Sequence, residues 1–118
     1  MKLGVVIAAC VTLAGCMSVQ DVRSRPVMFS GSSPKAVNDI AACVTLILQS
    51  GKAVMVTATP LKNGVSLTQS VNGQFGNTVF TVADIETVSS GETSARVYAV
   101  GRVPKNFDPG KSRFATCM

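Results

Sequence analysis

The stretch from Ala53 to Val103 constrains the fold of this chain more than any other. Its apolar residues alternate with polar ones over short runs, and clusters of Gly, Asn, Pro or Ser separate the runs. Successive side chains of a strand point to opposite faces, so the pattern predicts half-buried antiparallel strands rather than helices. Ala53 to Thr59 and Val65 to Val71 form one pair, joined through Pro60-Leu61-Lys62-Asn63-Gly64. Thr78 to Val88 and Ser94 to Val103 form a second, around Ser89-Ser90-Gly91-Glu92-Thr93. Between the pairs lies a loop, Asn72 to Asn77, that carries Phe75 on its exposed side.

The second pair has a preferred register. Ile85 opposite Val97 brings Ala83 against Ala99 and Val79 against Val103, a largely apolar face. The same register sets Glu86 opposite Arg96 and Asp84 opposite Tyr98 on the other face. A slip of one residue would turn the core side chains outward, so facing is strongly specified. Phe80, Val82 and Val100 nevertheless fall on the outer face. Either Phe114 or Val27-Met28-Phe29 covers them, or they form an apolar patch of the kind that partners use. Beyond this pair, Pro104 to Lys111 is a loop holding Phe107, and Ser112 to Cys117 is extended.

One helix precedes the strands. Ser33 supplies a hydroxyl cap and Pro34 a first-turn proline, and Gly51 ends the run, which predicts a helix from Pro34 to Ser50. Val37, Ile40, Ala41, Val44, Ile47 and Leu48 recur at helical spacing as its apolar face, with Cys43 on the border. Every later connection is short enough for a hairpin. The expected architecture is therefore a single α+β domain over residues 34–118, its helix packed on a four- to five-stranded antiparallel meander sheet.

The chain begins differently. Met1-Lys2 is followed by an apolar run from Leu3 to Thr12 and then by Leu13-Ala14-Gly15-Cys16. A membrane-spanning helix needs ~20 apolar residues, and this run stops short of that. Leu13-Ala14-Gly15-Cys16 resembles a lipobox, the processing signal of bacterial lipoproteins. Ile7-Ala8-Ala9-Cys10 fits the same pattern but leaves too short an apolar run before it. The resemblance implies a signal peptide over residues 1–15, cleavage after Gly15, and a diacylglyceryl group on the thiol of Cys16. Membrane lipid, through acylated Cys16, is the partner it implies. Two or three acyl chains hold a protein firmly where one does so only marginally. Met17 stands where an Asp would commonly mark inner-membrane retention, which favours the outer membrane, facing the periplasm, in a Gram-negative host.

With Cys10 in the leader and Cys16 acylated, Cys43 and Cys117 remain of the four cysteines. An exported chain meets an oxidising space, so a Cys43–Cys117 disulfide is expected, with two separate buried thiols as the alternative. Such a bond would contribute about 4 kcal/mol in the chain-entropy model. Residues 16–33 are polar and Ser/Gly-rich, which reads as a tether, with a short edge strand compatible with 27–29. That tether would bring Arg23 and Arg25 near the lipid headgroups.

The net charge is +5, but the basic residues are scattered singly with no interleaved aromatics, which argues against nucleic acid. The chain contains no His, which removes Ser-His and Cys-His nucleophile pairs and leaves zinc without its usual ligand set. Asp84 and Glu86 share a strand face ~7 Å apart, a spacing that inverting glycosidases use, although a solvated face is the simpler account. No cofactor motif is present. Two classes of function fit. One is a non-enzymatic envelope lipoprotein that presents a surface around Phe75, Phe80, Val82, Tyr98, Val100 and Phe107 to another envelope protein. The other is a lipid-anchored ligand-binding or inhibitor module that uses loops 72–77 and 104–111.

Overall fold

In the computed structural model the described residues are 18–50, 54–73, 76–100 and 112–118. They form helix α1 (Val19–Arg23), strand β1 (Val27–Ser33), helix α2 (Val37–Leu48) and strands β2 (Val54–Leu61), β3 (Gly64–Gly73), β4 (Gly76–Thr87) and β5 (Thr93–Ala99). A 3-10 helix, Arg113–Cys117, ends the chain where an extended segment is expected. The strands make one antiparallel sheet in the order β1-β5-β4-β3-β2. The fold is α+β. β2 to β5 meander, and β1 closes the far edge beside β5.

α2 lies on one face of the sheet. Ile40, Val44 and Leu48 from the helix meet Leu67, Ala83, Ile85, Ala95 and Val97 from the strands, together with Phe29, Phe114 and Cys117. Phe29 and Phe114 pack with tilted rings, centroids 6.0 Å apart, so both belong to this inner core and neither covers the outer face. The helix begins at Val37, three residues later than its cap signal suggests. Ser33 is the last residue of β1, paired with Thr93, and its hydroxyl accepts from the Lys35 N–H at 3.1 Å, a turn contact rather than a helix cap. The far end of α2 is closed by a side chain from the sheet. Gln69 Nε2 donates to the Leu48 carbonyl at 2.8 Å while Gln69 Oε1 accepts from the Thr81 hydroxyl at 2.7 Å. One of the carbonyls a helix leaves unpaired at its C-terminus is thereby satisfied.

The Cys43–Cys117 disulfide is present, with Cα atoms 5.6 Å apart and a sequence separation of 74. It joins α2 to the 3-10 helix at the chain's end. Ser33 adds a second tie, its hydroxyl donating to the Met118 carbonyl at 2.8 Å.

The strand pairing differs from expectation by two residues. Ile85 faces Ala95 and Ala83 faces Val97, so Asp84 lies opposite Arg96, and Glu86 opposite Ser94. The inward set is the same, because a shift of two preserves facing. The cause is a tighter turn: Val88 N–H donates to the Glu92 carbonyl at 2.8 Å, leaving Ser89-Ser90-Gly91 as the loop. Gly91, at φ +85°, takes the left-handed position such a three-residue loop requires. Val103, the expected partner of Val79, lies outside the described residues.

The β2–β3 turn is also tighter, with Lys62-Asn63 between paired Leu61 and Gly64. Pro60 sits within β2, which an edge strand tolerates because the missing N–H removes no ladder bond to a second neighbour. Gly64 is required by close approach, since a Cβ there would stand 1.9 Å from the Ile85 carbonyl oxygen.

A bulge changes the parity of β4. Gln69 pairs with Thr81 but Ser70 pairs with Val79, so Phe80 is an extra residue. Val79 consequently packs with Val82 on the face opposite α2, not with Ala83 and Ile85.

Residues 18–33 belong to the domain rather than to a tether. β1 extends over Val27–Ser33 and pairs with β5, longer than the expected 27–29. Before it, α1 packs on the outer face of the sheet.

Candidate functional site

The outer face of the sheet divides into a covered half and an open half. Ser18 starts α1 with a reciprocal capping box: its side chain accepts from the Asp21 N–H at 3.3 Å, and Asp21 Oδ2 accepts from the Ser18 N–H at 3.0 Å. The hydrogen bond from the Ser18 backbone, followed by that from its hydroxyl, holds the Asp21 carboxyl below its usual pKa. Val22 from this helix is fully buried and forms a cluster with Val79 and Val82, against which Val19 and Tyr98 also pack.

Arg23 fixes the other end of α1. Its Nε donates to Asp84 Oδ2 at 3.0 Å, and its Nη2 donates to Asp84 Oδ1 at 2.8 Å and to the Ser66 hydroxyl at 3.0 Å. The hydrogen bond to Asp84 raises the Arg23 pKa further, against the opposing effect of burial. This geometry is the two-pronged guanidinium–carboxylate pair that lysine cannot reproduce. Arg23 is therefore turned onto the protein rather than toward lipid headgroups.

Beyond Arg23 the face is open. A groove of about 290 Å³ lies between Asp84, Glu86, Ser94, Arg96 and Tyr98, with Val88 at the hairpin end. Its charges are mixed. Both oxygens of Asp84 accept from Arg23, so Asp84 and Glu86 do not act as a free carboxylate pair. The spacing suggestive of glycoside hydrolysis thus belongs to a structural ion pair. Arg96, expected to answer Glu86 from directly across the hairpin, stands opposite Asp84 instead.

The residues expected to form an interaction surface have separate fates. Phe80 and Val100 are 40% and 38% exposed, and Tyr98 is half-buried beside α1. Val82 is not a surface residue: it is 0% exposed because Val22 lies over it. Phe75, Phe107 and loop 104–111 lie outside the described residues, and of loop 72–77 the positions flanking residues 74–75 are strand ends. The cover on the face is α1, not Phe114 or Val27-Met28-Phe29. A signal for it existed in Ser18-Val19-Gln20-Asp21, which has capping-box spacing, with apolar Val19 and Val22 one turn apart. Five helical residues are too few for periodicity to register.

No protein-family model matches this chain, and neither characterised proteins nor solved structures show significant similarity to it. Among the described residues, no helix is long and apolar enough to cross a membrane.

Proposed function

We propose that this chain is a small bacterial envelope lipoprotein, held to the membrane through acylated Cys16 and acting by binding rather than catalysis. The observation that carries this reading is the Cys43–Cys117 disulfide. Disulfides persist in oxidising compartments, which fits an exported chain. The bond also uses two of the four cysteines, so the lipobox cysteines, Cys10 and Cys16, are the ones left over. Cys16 has the full apolar run before it, and Met17 behind it favours outer-membrane placement in a Gram-negative host.

The surface offered to an envelope partner is the open half of the outer face, where Glu86, Arg96 and Tyr98 line the groove. Binding is favoured over chemistry because the carboxylate best placed to react, Asp84, is held by Arg23. Cys16→Ser tests the anchor: the variant should leave the membrane fraction and lose acyl labelling. Unchanged acylation would move the site to Cys10 or end the lipoprotein reading. Pull-down from solubilised membranes tests the surface. A stoichiometric envelope protein should be recovered with the wild-type chain and lost with Arg96→Glu, and recovery of none would count against a protein partner.

A further inference from the structure

The register of the sheet sorts its surface into two ends. β4 starts and β5 finishes at one end, where the Val100 N–H donates to the Phe80 carbonyl at 2.9 Å. β1 starts there too, because Val27 pairs with Tyr98. Val27, Phe80 and Val100 are 42%, 40% and 38% exposed, so this end carries an apolar rim. β2 also starts at this end, and Met55, paired with Ser70 next to Val79, is 46% exposed. The opposite end also exposes one apolar residue, Val88, at 41%, but it stands among charged groups: Glu92 in the 88–92 turn, Glu86 opposite Ser94, Asp39 and Lys35 at the start of α2, and Lys62 in the β2–β3 turn. Asp21 lies nearer the rim, but its carboxylate accepts from the backbone and side chain of Ser18.

The anchor leaves from the apolar end. Val19 packs against the cluster of Val22, Val79 and Val82, whose strand residues lie in the rows next to Phe80, Val100 and Val27. Cys16 is three residues before Val19, so even a fully extended chain puts their Cα atoms at most ~11 Å apart. A firmly docked α1 leaves no longer leash. Arg25, next to Val27 in sequence but for Pro26, adds a positive charge beside this rim, and anionic headgroups attract such a residue.

We infer that the end of the sheet carrying Val27, Phe80 and Val100 seats on the lipid surface, with the groove at Glu86 and Arg96 held toward the aqueous side. This rests on the lipoprotein reading and adds an orientation to it. A lipid surface is the occupant because the acyl chains would enter the bilayer within about one helix diameter of Val19, whose cluster adjoins the rim. The domain would then stand upright on the membrane rather than swing on a tether.

The chain contains no Trp, so a single introduced indole reports its own surroundings. The acylated protein is reconstituted in phosphatidylethanolamine/phosphatidylglycerol vesicles carrying bromine on the acyl chains, and flotation is measured first. Phe80→Trp should show blue-shifted emission and lose most of it to bromine, while Ser90→Trp in the hairpin turn should stay red-shifted and unquenched. A protein that floats while Phe80→Trp remains quenched only by aqueous acrylamide overturns the orientation and leaves the lipoprotein reading intact. Phe80→Trp shielded from both quenchers assigns the rim to a second copy or another protein, which also overturns it. A chain that does not float at all overturns both readings. Val100→Trp repeats the measurement on β5 should Phe80→Trp disturb the bulge.

Discussion

Arg23 holds Asp84 through two hydrogen bonds, of 3.0 and 2.8 Å, across 61 residues of sequence. This contact joins the first helix of the domain to the middle of its sheet. With Val22 buried beside it, the pair converts a segment that resembles a linker into part of the fold. On the proposed lipoprotein reading, Cys16 is then only three positions from the first residue of this helix.

Breaking this contact should release α1 without unfolding the sheet. Arg23→Ala and Asp84→Ala are each expected to cost about 1–2 kcal/mol in a denaturant titration. A double-mutant cycle should return a coupling of about 1 kcal/mol, because the pair is only partly shielded from water. The amides of Val22 to Arg25 should exchange faster in both variants, while those of Ile85 and Val97 should not. Additive effects with no coupling would mean that α1 is held by Val22 alone.

Asp21 gives α1 a pH dependence. Its carboxyl is depressed below the ordinary 3.8 by the Ser18 N–H, so its contribution is complete above that value in the unfolded chain. The contribution fades as pH falls through the lower, folded value. Loosening of α1 should therefore begin in acid below about pH 4. A carbon-detected titration of the Asp21 carboxyl should show the depressed midpoint, and Asp21→Asn should remove that step from the α1 exchange profile. An unshifted midpoint would contradict the capping box.

The disulfide closes a 74-residue separation, and its removal should be costly. Cys43→Ala combined with Cys117→Ala should lower stability by about 4 kcal/mol, and reduced wild-type protein should behave like the variant. The last residues, tied by Cys117 and the Ser33–Met118 contact, should become the most protease-sensitive part of the domain. Equal stability with and without reductant would contradict this.

Two turn glycines should respond differently to alanine. Gly91→Ala imposes a side chain at positive φ in open space and should cost about 1 kcal/mol. Gly64→Ala drives a Cβ against the Ile85 carbonyl and should cost about 3 kcal/mol or more. Thermal melts of both variants would show the order, and a milder Gly64→Ala would contradict the close strand approach.

The strands, the inner core and the disulfide were legible in the sequence because each rests on a simple rule. Leu67, Ala83, Ile85 and Val97 obey period two, and Val37 to Leu48 obeys the helical period. Counting the cysteines beyond the segment that resembles a lipobox leaves one pair, Cys43 and Cys117. What was not legible depends on single residues. Gly91 allows a three-residue loop and moves the register by two, while Phe80 inserts itself into β4 and turns Val79 to the other face. α2 starts later than the Ser33-Pro34 signal indicates because Ser33 pairs in β1 and its hydroxyl donates to the Met118 carbonyl. Of the residues expected on the outer face, Phe80 and Val100 are exposed and Tyr98 is half-buried, while Val82 lies beneath a helix too short to announce itself.

The proposed function rests on Cys16 being the acylated first residue of the mature protein. The most direct test is the intact mass of protein extracted from membranes, with fragmentation of its amino-terminal peptide. The expected chain begins at Cys16, with diacylglyceryl mass on that residue and two hydrogens missing at Cys43 and Cys117. A membrane-extracted chain that retains residues 1–15 with an unmodified Cys16 thiol would contradict it.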